Sequence, residues 1–213
     1  ATGLSIYLPP VVDLADPAHP SLQGELYVPG YSTYLHPMDG THLIGIGFDA
    51  DDQGSFAWFK GLQLQVFDVT DPWNPLLLFK ELIGTRGSNS DATANHLAFN
   101  YFAPRDLLAI PMVICESGGD GGYYGMKMTF DGLLVYRVTV AEGFTRLGGI
   151  PHVDPAVADA DGGACGRWWT SPDSGVKRSI VMDDYVFAVA LDNLRASLLT
   201  DLEHPVASVD LTN

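Results

Sequence analysis

The sequence has little positive charge, few cysteines and no long apolar segment. Its 213 residues include 11 lysines and arginines against 26 acidic residues, which gives a formal net charge of −15. This balance disfavours binding to nucleic acid or to an anionic membrane surface, and it favours cations or basic partners. No apolar run approaches the roughly 18 residues of a membrane-spanning helix, so membrane insertion is not expected.

Motifs for catalysis and for export are also missing. The sequence contains no Gly-x-Ser-x-Gly, no His-Glu-x-x-His and no phosphate-binding glycine loop, so no catalytic residues are predicted and an enzyme is disfavoured. Residues 1–10 lack the charged and apolar regions of a signal peptide. The composition is typical of a secreted all-β domain, so we expect an extracellular or periplasmic protein whose export signal lies outside this sequence.

A repeated phrase is the strongest positive signal. Segments 11–26 and 66–82 each contain a strand ending in Asp, an Asp-Pro-x-x-Pro turn and a second strand. Self-similarity at a period of roughly 40 to 50 residues is typical of blade arrays. With 46% hydrophobic and 17% charged residues, the chain has enough apolar material to form a core.

Short strands rich in Val, Ile, Leu, Phe and Tyr recur in groups of four, here called a to d from the centre outward. They predict an all-β fold, a β-propeller of four-stranded antiparallel blades, with about three and a half blades of a larger ring in a single domain spanning 1–213. The blade parts are predicted at about 11–30, 32–83, 94–150 and 176–211. Within the second part we expect strand b at 42–48, strand c at 62–69 and strand d at 76–83, and the third part should open with strand a at 96–102. The first would lack its two inner strands, so we expect another polypeptide, or a second copy, to supply the missing blades.

Several motifs resemble those of a known family. They lie at 12–17, 28–37, 42–47, 86–88, 107–111, 177–179 and 184–185. In these segments the chain is similar to secreted bacterial and archaeal proteins with a C-terminal β-propeller domain that is distantly related to WD repeats. The resemblance implies a propeller and export, and it implies no catalytic residues.

Loop lengths predict where a partner binds. In a four-stranded blade the b–c loop and the d–a connection emerge on one face, and here these segments are long: 49–61, 84–95, 115–132 and 151–176. We call this side the long-loop face and expect the working surface there. Its candidate binding residues for a protein or carbohydrate partner are three adjacent aromatic pairs: Trp58 and Phe59, Tyr123 and Tyr124, and Trp168 and Trp169. Alternatively, each pair packs on its own loop.

Acidic residues in the first of these loops suggest a hard cation. Asp49, Asp51 and Asp52, followed by Gly54, partly match the opening of a calcium-binding loop. Lys60 occupies the position where the motif requires Glu, so a solvated acidic rim is the alternative interpretation. Ca²⁺ is therefore a candidate cofactor.

The predicted channel end offers a different chemistry. His36 and His96 fall on predicted innermost strands, where two imidazoles could ligate a transition metal or act as acid and base. The alternative is a structural role between blades. Arg178, on the last inner strand, would bring positive charge to the channel for an anionic ligand.

The two cysteines complete the candidate residues. Cys115 and Cys165 are too few for a disulfide scaffold and lack metal-site spacing. Both should emerge on the same face of adjacent blades, so a disulfide between them is possible in an oxidising compartment. Together the patterns favour a binding or assembly module, with a metalloprotein or enzyme, and a structural subunit completing a split propeller, as alternatives.

Overall fold

The computed structural model describes residues 10–118, 123–153, 165 and 173–212. Regular structure in these ranges is nearly all β-strand. Short 3₁₀ helices also occur, at Asp91–Thr93, His96–Ala98 and Ala103–Arg105. Within the described part of the chain, no helix is long and apolar enough to span a membrane.

The first strands of the described residues form an antiparallel hairpin. Strands β1 (Val11–Asp13) and β2 (Ser21–Gly24) form a two-stranded sheet, which we call the N-terminal hairpin. Its turn is held by aspartates that accept backbone hydrogen bonds two residues further on, as Asp13 does from Ala15 at 2.8 Å. The Asp-Pro-x-x-Pro phrase is therefore a turn signal with a local mechanism.

The first complete blade, called the first blade from here on, is a four-stranded antiparallel sheet that follows the N-terminal hairpin. It contains β3 (Tyr31–Pro37), β4 (His42–Asp52), β5 (Ala57–Asp68) and β6 (Leu76–Ile83), paired in chain order. Strands β4 and β5 are longer than the predicted 42–48 and 62–69. They continue past the core as a hairpin because Asp51 pairs with Trp58 beyond a bulge near Phe48.

The second blade repeats this order. Its strands are β7 (Asn100–Phe102), β8 (Leu107–Glu116), β9 (Lys127–Thr139) and β10 (Gly143–Val153). Strand a was predicted to cover 96–102, which is wrong for its first half. The side chain of Asn95 accepts a hydrogen bond from the backbone N–H of Leu97 at 3.1 Å, and this cap starts a 3₁₀ turn in place of a strand.

The third blade contains β11 (Val176–Met182), β12 (Tyr185–Ala190), β13 (Asn193–Leu198) and β14 (Ala207–Asp210). Side chains alternate between the two faces of this sheet. Val186 and Ala188 face the second blade and are buried. The other face carries an apolar surface that we call the third-blade apolar face: Ile180, Met182, Tyr185, Phe187, Val189, Leu194 and Val209.

Apolar side chains join each sheet to the next. The first and second blades share a cluster that includes Ile46, Leu64, Ile110 and Leu134. The second and third blades share a cluster built around Leu133, Val135, Val176 and Val186. Because neighbouring four-stranded sheets bury the faces that they turn toward each other, the architecture is a partial β-propeller, and the predicted fold class is confirmed.

Candidate ligand-binding site

A groove lies where the first and second blades meet on the long-loop face. Two adjoining pockets share Phe59, Lys60 and Arg86, and one of them has a volume of about 170 Å³. We call this site the loop-face groove, and its main residues are Phe59, Lys60, Thr85, Arg86, Gly118 and Tyr124. They come from a b–c hairpin, a d–a connection and the b–c segment of the next blade, so both kinds of long connection meet here.

Strand alternation separates the first aromatic pair. Trp58 and Phe59 are neighbours on β5, so their side chains point to opposite sides of the hairpin. Trp58 packs against Phe56 with ring centroids 5.0 Å apart. Phe59 instead contacts Tyr31 edge to face at 5.7 Å and packs on the core while lining the groove. Trp58 therefore covers its own hairpin, and Phe59 alone of this pair lines the groove.

The second aromatic pair divides in the same way. The guanidinium carbon of Arg86 lies 4.4 Å from the centroid of the Tyr124 ring, a cation–π contact that places both on the groove wall. Tyr123 is 75% exposed and does not line the groove. The third pair, Trp168 and Trp169, lies outside the described residues.

Basic side chains line the groove, although the chain as a whole is acidic. Lys60 and Arg86 line it, and no Asp or Glu is among the described residues that line its two pockets. Lys60 forms an ion pair with Asp51 at 2.7 Å, and both side chains are nearly half exposed. Such surface pairs contribute little to the free energy of unfolding.

Hydrogen bonds fix the d–a connection that forms one wall. The Thr85 hydroxyl donates to the carbonyl of Cys115 at 2.7 Å and accepts from the backbone N–H of Gly118 at 3.0 Å. The buried Ser88 hydroxyl accepts from the backbone N–H of Cys115 at 2.9 Å. The wall is thus tied to the end of β8 and is preorganised.

A disulfide braces the same wall. Cys115 and Cys165 are bonded, and both are fully buried. Next to them Gly87 has φ +111°, and a Cβ atom there would lie 2.8 Å from the Cys165 carbonyl oxygen. The position therefore requires glycine, and the backbone at Cys165 packs directly behind the groove.

The acidic residues proposed for Ca²⁺ have protein partners. Asp49 binds the Lys80 ammonium at 2.6 Å, Asp51 binds Lys60, and Asp52 accepts from the backbone N–H of Gly54 at 2.7 Å. Among the described residues, no group of three or more His, Cys, Asp and Glu is placed to hold a metal ion. The contacts of these carboxylates with lysines and with the backbone account for their positions without a metal ion.

The two histidines of the predicted channel end have different surroundings. His36 lies on β3, where Nδ1 is 3.0 Å from the Tyr34 hydroxyl and the ring is 5.3 Å from Phe99. Burial lowers the pKa of His36, so the neutral imidazole is favoured. His96 is exposed on a 3₁₀ helix and not on a strand, 6.5 Å from the Tyr34 ring. Arg178 is on the innermost strand β11, where it donates to the Lys177 carbonyl at 2.6 Å.

Sequence reasoning missed a polar junction between the second and third blades. Lys177 binds Asp91 at 3.3 Å and Asp173 at 3.0 Å, and the backbone N–H of Ser174 donates to Asp91 at 2.9 Å. Nearby, Asp131 is buried and accepts from Gly175 at 2.9 Å, and its burial raises its pKa. This cluster fastens the third blade to its neighbour, and only a known blade order could have revealed it.

Comparisons with known proteins agree with the architecture, which defines the chain as a β-propeller with a groove between two blades. The chain belongs to the beta propeller domain family, whose model matches residues 10–202. No solved structure gives a significant match.

Two archaeal relatives are similar to part of the chain. An uncharacterised protein of Methanocaldococcus jannaschii is 43% identical over 65 residues, which cover 30% of this chain and 9% of the relative. An uncharacterised protein of Archaeoglobus fulgidus is 28% identical over 113 residues, covering 53% of this chain and 16% of the relative. The matched part of the chain therefore spans less than a fifth of the length of either relative.

Proposed function

We propose that this protein is a secreted binding module of the β-propeller type that holds a protein or carbohydrate partner in the loop-face groove. The observation that carries the proposal is the meeting of aromatic and cationic side chains in one preformed groove. Phe59 and Tyr124 supply flat apolar surface, and Lys60 and Arg86 supply charge. Sites of this composition bind ligands through a few polar groups on a largely apolar wall.

The rigidity of the groove supports the same proposal. Thr85 donates a hydrogen bond to Cys115, Ser88 accepts one from it, and these bonds together with the disulfide at Cys115 hold one wall in place. A preformed site loses little conformational entropy when a partner binds. The disulfide also supports the export part of the proposal, because such bonds persist in oxidising compartments.

The test compares a double aromatic substitution in the groove with an aromatic substitution outside it. The immobilised chain is exposed to a panel of polysaccharides and to the secreted proteins of the source organism, and bound material is quantified. We expect Phe59→Ala combined with Tyr124→Ala to abolish specific binding. Trp73→Ala is the matched control because Trp73 is 61% exposed on a c–d turn, away from the groove. Equal loss in the control, or no loss in the double variant, would refute the role of the groove.

A second candidate function is assembly with further blades. The third-blade apolar face supports it, since Ile180, Met182 and Val209 are 46%, 57% and 53% exposed. Val12 and Leu22, paired on the N-terminal hairpin, are 42% and 53% exposed. Inside the structure such sheet faces pack against another sheet, so we propose that a polypeptide carrying further propeller blades covers them.

Solution mass tests this candidate. Ile180→Lys combined with Val209→Lys should prevent assembly with a co-purifying polypeptide that carries the same Asp-Pro-x-x-Pro hairpins. Leu97→Lys should have no effect, because Leu97 is 60% exposed on a 3₁₀ helix outside both sheet faces. A particle of twice the 23.0 kDa chain mass would identify a second copy as the occupant and contradict the proposal of a different polypeptide.

Ca²⁺ at the acidic loop, or a transition metal at the channel end, would have to compete with contacts inside the protein. Asp49 and Asp51 already have lysine partners, and the Nδ1 atom of His36 contacts the Tyr34 hydroxyl. A metal analysis of the purified protein tests both. A stoichiometric metal would reopen them.

A further inference from the structure

We propose that the polypeptide covering the N-terminal hairpin also completes its sheet, by pairing an antiparallel strand with the open edge of β1. The open edge is the side of Val11–Asp13 that faces away from β2. This inference rests on the second candidate function, assembly with further blades, and adds the mode of contact and its register. It is supported by a close correspondence between the hairpin and the outer half of the first blade.

The turn of the N-terminal hairpin and the turn between β5 and β6 contain the same hydrogen bonds. The side chains of Asp16 and Asp71 accept from the backbone N–H two residues further on, at 3.1 and 3.0 Å. Their carbonyl oxygens accept from the backbone N–H three residues further on, at 2.9 and 3.1 Å. Their second carboxylate oxygens contact the side chain of that third residue, His19 in one turn and Asn74 in the other, both at 2.8 Å. The two turns therefore correspond residue by residue, with an offset of 55.

The strands beside these turns also pair in the same register. Asp13 lies opposite the first residue of β2, as Asp68 lies opposite the first residue of β6. A bulge interrupts the register between Val11 and Val12, and a bulge interrupts β5 at the equivalent place. Since β5 and β6 are strands c and d of the first blade, β1 and β2 are strands c and d of another blade.

Strand c of the first blade is paired along both edges. Its inner neighbour is β4, where the Thr41 carbonyl accepts from the backbone N–H of Val69 at 2.8 Å. Alternate pairs of an antiparallel ladder are hydrogen-bonded, so the backbone of Phe67 also bonds to β4. The equivalents of Phe67 and Val69 are Val12 and Leu14. Among the described residues β1 pairs with β2 alone, so the backbone groups of Val12 and Leu14 face an open edge that can accept a strand.

The exposed face of the hairpin supports the same occupant. Phe67 is fully buried and packs with Val28 from the segment between β2 and β3. Its equivalent Val12 is 42% exposed, and Leu14 is 63% exposed. Within the described part of the chain, β1 therefore lacks both a strand on its inner edge and a sheet over its face. A polypeptide carrying further blades supplies both, whereas an isolated strand supplies only the first.

Pro10 limits the contact at one end. Its equivalent in the first blade, Gln65, bonds toward β4 by the same alternation, but proline has no N–H to donate. Sheets of this fold accommodate proline, since Pro111 lies within β8, a strand paired on both edges. The backbone donors of the contact are therefore Val12 and Leu14, and the Pro10 carbonyl contributes an acceptor.

The experiment uses a synthetic peptide of residues 39–48, which contain the strand that pairs with the equivalent edge in the first blade. By the correspondence, Leu43 of the peptide should exchange backbone hydrogen bonds with Val12. N-methylation of Leu43 removes the N–H that faces β1. N-methylation of Ile44 removes an N–H on the other edge of the peptide, because the neighbouring His42 bonds to the β3 side in the first blade. The two methylated peptides are therefore matched in composition and differ in the edge that is blocked.

Affinity and amide hydrogen exchange are the two measurements, and both use the unaltered chain. We expect the unmodified peptide and the N-methyl-Ile44 peptide to bind, and the N-methyl-Leu43 peptide to bind roughly 10-fold more weakly because it loses a hydrogen bond to β1. The bound peptide should slow exchange of the Val12 and Leu14 amides about 10-fold or more. Exchange in β14, which also lies at the edge of a sheet, should not change.

The outcomes distinguish this inference from the assembly function. Equal affinities of the two methylated peptides, or equal slowing of exchange in β14, would overturn the inference, because recognition would not depend on the open edge of β1. Absence of binding would overturn it as well. In each of these cases the solution-mass experiment with Ile180→Lys and Val209→Lys still decides assembly by itself. Slowed exchange at Val12 and Leu14 in a dimer of this chain would assign the edge to a second copy and overturn the proposed occupant.

Discussion

Reduction of the disulfide should weaken the fold by a calculable amount. Cys115 and Cys165 are separated by 50 residues. In the chain-entropy model, a bridge across that span limits the unfolded chain enough to contribute about 4 kcal/mol to the free energy of unfolding. The assay is denaturant unfolding of the oxidised protein with and without reductant. Since these are the two cysteines of the sequence, a reductant breaks no other bridge.

The double variant Cys115→Ala with Cys165→Ala provides the control. It should have a low stability that reductant does not change, with a further loss of about 1 kcal/mol from the buried sulfur atoms. Reduction should also weaken ligand binding, because the Cys165 carbonyl supports Gly87 behind the groove. A change below about 1 kcal/mol on reduction would refute the reasoning, since it would mean that the bridge does not restrict the unfolded chain as the model assumes.

Three further predictions concern stability. Burial raises the pKa of Asp131, so the contribution of this carboxyl to the free energy of unfolding is favourable at low pH and is lost as pH rises. Asp131→Asn should therefore increase the free energy of unfolding by about 1 kcal/mol over the parent at pH 7 and by less at pH 4, as measured by urea unfolding. Gly87→Ala should cost more than about 1 kcal/mol because φ is +111°, whereas Gly40→Ala, with no atom within 4 Å of the added Cβ, should be nearly neutral in thermal melts. Ile110→Ala, fully buried between two blades, should cost about 3 kcal/mol, and Leu97→Ala, 60% exposed, should cost little; equal costs would contradict the assigned core.

The fold was readable from the sequence because local signals agree with one another. The predicted strand at 76–83 is the observed β6, and the alternation of apolar residues predicted most strand positions within a few residues. The start of the second blade was not predicted correctly. The cap at Asn95 is a short-range hydrogen bond, and it overrides a weak strand preference around His96.

The candidate site was only partly readable. Loop lengths indicated the long-loop face, and Phe59 and Tyr124 were among the predicted residues. Lys60 entered the prediction only as a mismatch to a calcium motif, and Arg86 only as part of a family motif. Their role depends on adjacency across two blades, and no spacing in the sequence encodes the distance between neighbouring sheets. Trp58 and Phe59 are adjacent on one strand, so alternation of side chains places them on opposite sides, although they are neighbours in the sequence.

The loop-face groove takes Phe59 and Lys60 from one blade and Arg86 and Tyr124 from segments joined to the next. The width of the groove therefore depends on the distance between two adjacent sheets. A ligand that contacts both blades would hold them at a fixed separation. A partner that changes this separation from elsewhere on the protein would therefore change the affinity of the groove for its ligand. Ligand binding in the groove and the resistance of the two blades to separation are therefore coupled.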